Sequence, residues 1–347
     1  KDSSWCFLFC TWRTLSMTNF NGVWSLTAQY QAKGNSNWSP TLGGDVGLFA
    51  RSATSTAIDF VNIASDGNAS DFGDHSNDQG NTQVAGSNTR AIFRIEYISS
   101  AGDTIEFCAI HTKGNTTDFG NVSVARYSGT AVLSNQTRAV FAGGYLADDS
   151  GYSNIMDYVT IASTGDATDF GNLTVARDSL GALSSTTRGV FSMGRSSGGD
   201  YNDNVMDYIT IGSAGNATDF GDLSVVRTFA DGASSNTRGL FMGGYNSSTS
   251  SGTSSRLNTI DYITIASTGN ASDFGDLSSQ GTGGGTSNGT KAVFNFGVEH
   301  GFTGGSADTN TIDKVTIAST GNATDFGDAS TNNGNTVKAT SDSHGGL

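Results

Sequence analysis

Six acidic side chains recur in like positions: Asp59, Glu106, Asp157, Asp207, Asp261 and Asp313, each ahead of the aromatic position of a strand-like run. Arg90, Arg138, Arg188, Arg238 and Lys291 open a second recurrent run in five units, and the sixth position falls at Val46 or His344. Carboxylates beside cations could serve as general acids and bases. That chemistry needs two groups held in unlike environments, and these are alike. The pattern instead predicts one structural ion pair or hydrogen-bonded acid per unit, with Arg138, Arg188 and Arg238 answering Asp157, Asp207 and Asp261. No catalytic residue is assigned, and the chain is expected not to be an enzyme. A cryptic hydrolase would need one acid or base that stands apart from its repeats.

His75, His111, His300 and His344 show no spacing for zinc or a triad, and each is expected on the surface or in a loop. Cys6, Cys10 and Cys108 suggest neither a metal site nor a disulfide framework. The remaining acid motif is Asp-Phe-Gly, at 71–73, 118–120, 169–171, 219–221, 273–275 and 325–327. Its Asp is expected to accept backbone hydrogen bonds at a turn. Calcium is the sharper alternative, but the spacing matches no dedicated calcium loop, so no metal or cofactor is assigned. Six copies without a phosphate loop also set aside the kinase reading of this tripeptide.

These residues must be positioned by a repeated element. The motif returns every 47 to 54 residues, a period typical of propellers and solenoids. One unit, read through, holds four strand candidates: 182–185, 188–191, 205–211 and 218–223, the last reached through a turn at Ala214-Gly215-Asn216. The third run is apolar on both faces, which suits a sheet stacked between sheets. The first unit lacks its first strand, and Gly334-Asn335-Thr336-Val337 repeats the pattern of Gly80-Asn81-Thr82-Gln83. The fold is therefore expected to be all-β: a six-bladed propeller of four-stranded antiparallel blades over residues 44–347, closed by pairing of the two terminal segments, without exposed edges. Residues 1–43 form an N-terminal arm, with one or two helical turns from Leu26 to Lys33 stopped at Gly34, and a docking role is one reading of it.

Composition agrees. Gly numbers 47 of 347 residues, Pro occurs once, charged residues are 14% and Glu stands only at 96, 106 and 299, a balance that favours strands and turns over helices. A net charge of −14 repels phosphate backbones, so nucleic acid is excluded as an expected partner. No apolar run is long enough to span a bilayer as a helix.

Phe141-Ala142-Gly143-Gly144-Tyr145, followed by Asp157-Tyr158-Val159, Phe170, Leu173 and Arg177, resembles a kelch repeat, with Phe where that family usually has Trp. The diglycine is intact at Gly143-Gly144 and Gly243-Gly244 and degraded elsewhere, as at Met193-Gly194. The wording Ile-Ala-Ser-Thr-Gly-Asn-Ala-Thr-Asp-Phe-Gly-Asp is similar to repeats of virion-associated proteins of marine tailed bacteriophages, as is the opening from Gly22 to Trp38. The resemblance implies a place on a virion, as fibre, tail or capsid appendage, outside the cell. It implies other virion proteins or copies of the same chain as partners, engaged through the arm.

In such a blade the 1–2 and 3–4 turns share one face of the disc, and here they are short and nearly identical. The 2–3 connections on the other face vary. They carry Asp148, Asp149, Tyr152, Asp200, Tyr201, Asp203, Tyr245, His300 and Phe302. Aromatic faces beside carboxylates suit sugar rings, so this face is the expected site for a host-surface glycan. A purely structural spacer is the rival reading.

Overall fold

The computed structural model describes residues 42, 45–51, 55–77, 82–96, 102–127, 129–146, 151–196, 203–246, 255–297, 309–333 and 337–347. The helix expected at Leu26–Lys33 lies outside them. The compact unit that carries the repeats runs from Leu42 to Leu347.

Six antiparallel four-stranded blades form a six-bladed β-propeller. Blade 3 is representative: Thr130–Ser134 is innermost, followed outward by Arg138–Gly143, Ile155–Thr160 and Thr168–Asn172. The innermost strands of the others are Thr82–Gly86 in blade 2, Gly181–Ser184 in blade 4, Asp231–Ser234 in blade 5 and Thr282–Ser287 in blade 6. Blade 1 takes its innermost strand, Val337–Ser341, from the far end of the chain. It pairs with Val46–Arg51 in the register Gly47 to Ser341 and Arg51 to Val337, so the ring closes as expected.

The apolar residues gather in six clusters, each shared by two neighbouring blades. Between blades 2 and 3, for instance, Ile92, Ile105, Phe119 and Val122 meet Ala139, Phe141, Val159 and Ile161. Met156 of the same third strand packs toward blade 4. Alternate residues of one strand thus enter two different cores, which accounts for its apolar character on both faces.

A β-bulge recurs in all six blades. In blade 3, Asp157 pairs with Asp169 and Met156 with Gly171, so Phe170 is the extra residue. The same shift precedes Asp59, Glu106, Asp207, Asp261 and Asp313. The bulge breaks the alternation of the outermost strand and turns Phe72, Phe119, Phe170, Phe220, Phe274 and Phe326 inward, each 2% exposed.

It also exposes the preceding Asp, which corrects the expectation for Asp-Phe-Gly. Among the described residues no hydrogen bond to those six carboxylates is found. The side chain that accepts the backbone N–H belongs to the next blade's turn: Asn216 Oδ1 accepts from Asn172 N at 3.0 Å, and Asn68, Asn115, Asp166, Asn270 and Asn322 do the same at the other five junctions. Beside it, Gly215 N donates to Phe170 O at 2.7 Å and Ala217 N to Asn172 O at 2.8 Å. The turn presses directly on the motif glycine. A Cβ on Gly171 would lie 2.5 Å from Gly215 O, and the other five motif glycines meet their neighbours at 2.3 to 2.6 Å. Gly171→Ala is therefore expected to destabilise the protein by about 1–3 kcal/mol, whereas Gly212→Ala, with open space around it, should be near neutral. Urea unfolding of both variants measures the difference.

Candidate functional site

The innermost strands surround a narrow central channel whose two ends differ. At the end shared with the 1–2 and 3–4 turns, serine hydroxyls link the blades. Ser184 Oγ donates to Ser134 O at 2.7 Å, Ser234 to Ser184 O at 2.7 Å, Ser287 to Ser234 O at 2.6 Å, and Ser341 to Ser287 O at 2.6 Å. Ser134 Oγ donates to Gly86 O at 2.6 Å. Gly86 stands where the sixth serine would be, since a Cβ there would meet Thr340 Oγ1 at 2.9 Å.

The chain's last residues fold over this end. Cβ atoms on Gly345 and Gly346 would lie 2.3 and 2.2 Å from Ser235 O and Ser134 O, so only glycine permits that approach. His344 is tucked against the plug, and burial pushes its imidazole down to about 4. Gly346 N donates to its Nδ1 at 3.1 Å, which leaves the proton on Nε2, 3.2 Å from both Gly86 O and Ser134 Oγ. A protonated Nε2 cannot act as a base toward Ser134. Sequence reasoning placed His344 on the surface or at the seam; the structure puts it at the channel end and puts Val46 at the seam position, opposite Asn62. His75 is likewise buried, not superficial.

Toward the other end, where the innermost strands begin, the channel is lined by Gln83, Asp231 and Lys338 among apolar residues and glycine. Lys338 Nζ lies 3.9 Å from Asp231 Oδ2, and burial raises the Asp231 carboxyl above its usual range. The channel pockets hold only about 40 and 30 Å³, room for water rather than a substrate. Asp231 and the Ser234 ring are three residues apart along one strand, about 10 Å, so Asp231 and His344 do not share a reacting atom.

The recurrent acids lie between blades, not on the channel, and their partners differ from those expected. Arg138, Arg188 and Arg238 do not pair with Asp157, Asp207 and Asp261. Their guanidiniums stack on Tyr158, Tyr208 and Tyr262 at 4.4, 4.4 and 4.7 Å and donate to Ile211 O, Ile265 O and Ile317 O of the next blade. The acids face the preceding blade. Arg126 binds Asp157, Arg177 binds Asp207 at 2.8 Å and Arg227 binds Asp261 at 2.8 Å, all with fully buried side chains, while Asp59 takes Arg51 of its own blade. Every acid also accepts a hydroxyl, from Ser330, Ser76, Ser123, Thr174, Ser224 and Ser278 in blade order. A signal for these was present: the hydroxyl residue stands five positions after each motif Asp and the arginine eight after it, in three units. Arg126 and Arg227 further donate to Gly143 O and Gly243 O, both at 3.0 Å, which ties the first diglycine residue into the junction.

Of the residues expected to bind ligand, Asp149, Tyr201, His300 and Phe302, with Asp148 and Asp200, lie outside the described residues, as does the side chain of Asp203. Tyr152 is half-buried, edge-on to Tyr145 at 5.4 Å, and Tyr145 also contacts Tyr127 at 6.3 Å. Tyr245 is a correction: at 7% exposure, paired antiparallel with Arg256, its ring is not presented to solvent.

Among the described residues no group of three or more His, Cys, Asp or Glu could hold a metal ion, and no helix is long and apolar enough to cross a membrane. Cys108 is buried, which pushes its thiol up to about 12. No protein-family model matches the chain, and no curated protein matches it.

Two outcomes follow from the buried charges. Asp261→Asn leaves Arg227 without its counter-charge and is expected to cost about 3–5 kcal/mol. Asp313, with no cation in reach among the described residues and burial raising its carboxyl, should tolerate Asp313→Asn with a much smaller loss; denaturant midpoints compare them. Glu96 caps the start of blade 3, accepting from Gly129 N at 2.9 Å and Thr130 N at 3.2 Å, and burial pushes it up to about 7 from 4.5. The folded state then holds a proton that the unfolded chain loses between pH 4.5 and 7, so this group's contribution falls as pH rises through that window. Glu96→Gln should flatten that part of the stability–pH curve, read from melts at pH 4 to 8.

Proposed function

We propose that this chain is a non-enzymatic binding and structural protein of a phage particle, a fibre, tail or capsid appendage, that meets a host-surface glycan through its variable-loop face. The observation that carries this reading is the asymmetry of the two faces. One is short-turned, repeated six times, linked by serines and closed by the C-terminal residues. Leu42 joins the propeller on this same face, donating to His111 O at 2.9 Å and packing on the blade 1–2 core. An arm at 1–43 would serve for attachment to other virion proteins or to copies of the chain. The strand ends that carry the unequal connections 147–150, 197–202, 247–254 and 298–308 are on the opposite rim, beside the channel mouth with Asp231 and Lys338. Recognition on such loops over a rigid scaffold is a common division of labour.

The resemblance of the repeated wording to that of marine phage proteins supports a virion, extracellular setting, and the acidic composition disfavours nucleic acid. The six buried acids are bound to hydroxyls and, in four blades, to arginines, which suits structure better than proton transfer. A purely structural spacer is the second reading, favoured by the small channel volume.

A glycan-array screen of the full chain, beside a variant with Tyr152, Tyr201 and Phe302 changed to Ala, tests the proposal. Binding by the parent and at least tenfold loss in the variant is the expected result. No binding by the parent would favour the spacer.

A further inference from the structure

Blade 6 departs from its neighbours at two coupled positions. Where blades 3, 4 and 5 stack Arg138, Arg188 and Arg238 on Tyr158, Tyr208 and Tyr262, blade 6 has Lys291 and Lys314. The two lysines do not stack on each other; Lys291 Nζ lies 5.5 Å over the Phe326 ring. Both reach Asp66 in the first blade's turn: Lys291 Nζ lies 3.0 Å from Oδ1, and Lys314 Nζ binds Oδ2. Lys291 Nζ also donates to Ala64 O at 3.3 Å. Beside these side chains lies a hollow of about 340 Å³, lined by Lys291, Lys314, Thr316, Ser319, Thr320 and Asn322 among others. That volume is at the lower end of small-ligand sites, and several times that of either channel pocket.

The lining has one chemical character. Each ammonium has three N–H donors; Lys291 uses two and Lys314 one in the contacts above, leaving one and two. Two lysines against Asp66 give a local charge of +1 on a chain of −14. Asp66 is itself held below its usual range by the two lysines, so it stays ionised and fixes both ammoniums. Around them stand hydroxyls that can donate and accept, and the Asn322 amide, whose Oδ1 accepts from Asp276 N at 3.1 Å and whose Nδ2 can donate. Asp325, next to the lining residue Thr324, is exposed on the outer strand and disfavours multiply charged anions.

We propose that this hollow in blade 6 is a binding site for a small hydroxylated monoanion, of which a uronic acid is the matching class: the carboxylate on the lysine N–H groups, the ring hydroxyls on the threonines, Ser319 and Asn322. The site is on the opposite face from the variable loops and does not depend on them.

The test is calorimetry and saturation-transfer NMR of the full chain with glucuronate, glucose and inorganic phosphate. The variant is Lys314→Tyr, which places in blade 6 the aromatic found in blades 3 to 5. An unchanged melting temperature checks its fold. The expected result is binding of glucuronate in preference to both glucose and phosphate, weakened at least tenfold in Lys314→Tyr and unchanged in Tyr152→Ala. Equal binding of glucose, tighter binding of phosphate, no binding of glucuronate, or full binding by folded Lys314→Tyr would each overturn the proposal. Failure of the loop-face variant on a glycan array would leave this result untouched, so the two readings are separable.

Discussion

The structure depends on one local contact made six times: the bulged Asp-Phe-Gly of one blade seated on the turn of the next, which is Gly-Asn-Ala in four copies, Gly114-Asn115-Thr116 in the second and Gly165-Asp166-Ala167 in the third. A four-stranded blade is too small to bury its two faces alone. The bulge answers this by turning a phenylalanine into the shared core while placing the next backbone amides against the neighbouring turn. Three hydrogen bonds and a close glycine contact then fix the distance between blades. From blade 6 to blade 1 the contact is the same, Asp328 N on Asn68 at 3.1 Å and Gly327 on Gly67, so the ring closes without a special joint at its rim.

Identical contacts hold six blades together but cannot tell them apart. The charged residues supply the differences. Buried arginines bridge blades 2 to 3, 3 to 4 and 4 to 5. Near the seam, Arg51 pairs with Asp59 inside blade 1, and the charges between blades are Lys338 with Asp231 at the channel and Lys291 and Lys314 with Asp66 at the outer turn. Buried ion pairs contribute little net stability once desolvation is counted. A mispaired buried charge is costly, however, so unequal decoration of the junctions favours one cyclic order of blades over the others.

The same division shapes the surface. The motif aspartates, put outside by the bulge, load the rim with negative charge, while the short-turn face is built mostly of Ser, Thr, Asn, Ala and Gly. Most described arginines that could have offset the acidity at the surface are buried or held over aromatic rings. What remains exposed is acidic at the edge, nearly neutral on one face and variable on the other.

Blade number, strand order and ring closure were legible in the sequence, because a period near 50 residues and an unpaired strand at each end leave few alternatives. The burial of the third strand was legible too, since period-2 patterning reports on both faces of a sheet. The partners were not. Arg138 and Asp157 recur together, and charge alone suggested that they pair, but the stagger between blades brings Arg126 to Asp157 and leaves Arg138 over Tyr158. Nor did alternation reveal the bulge that exposes the motif Asp and buries Phe170, because one extra residue in one strand leaves no mark on composition. The hollow in blade 6 was visible only as two lysines where blades 3 to 5 have Arg and Tyr. Sequence determined which residues repeat, since that is a property of the chain; tertiary structure decided which of them meet, since contacts between blades depend on a stagger set by neighbours some 50 residues away.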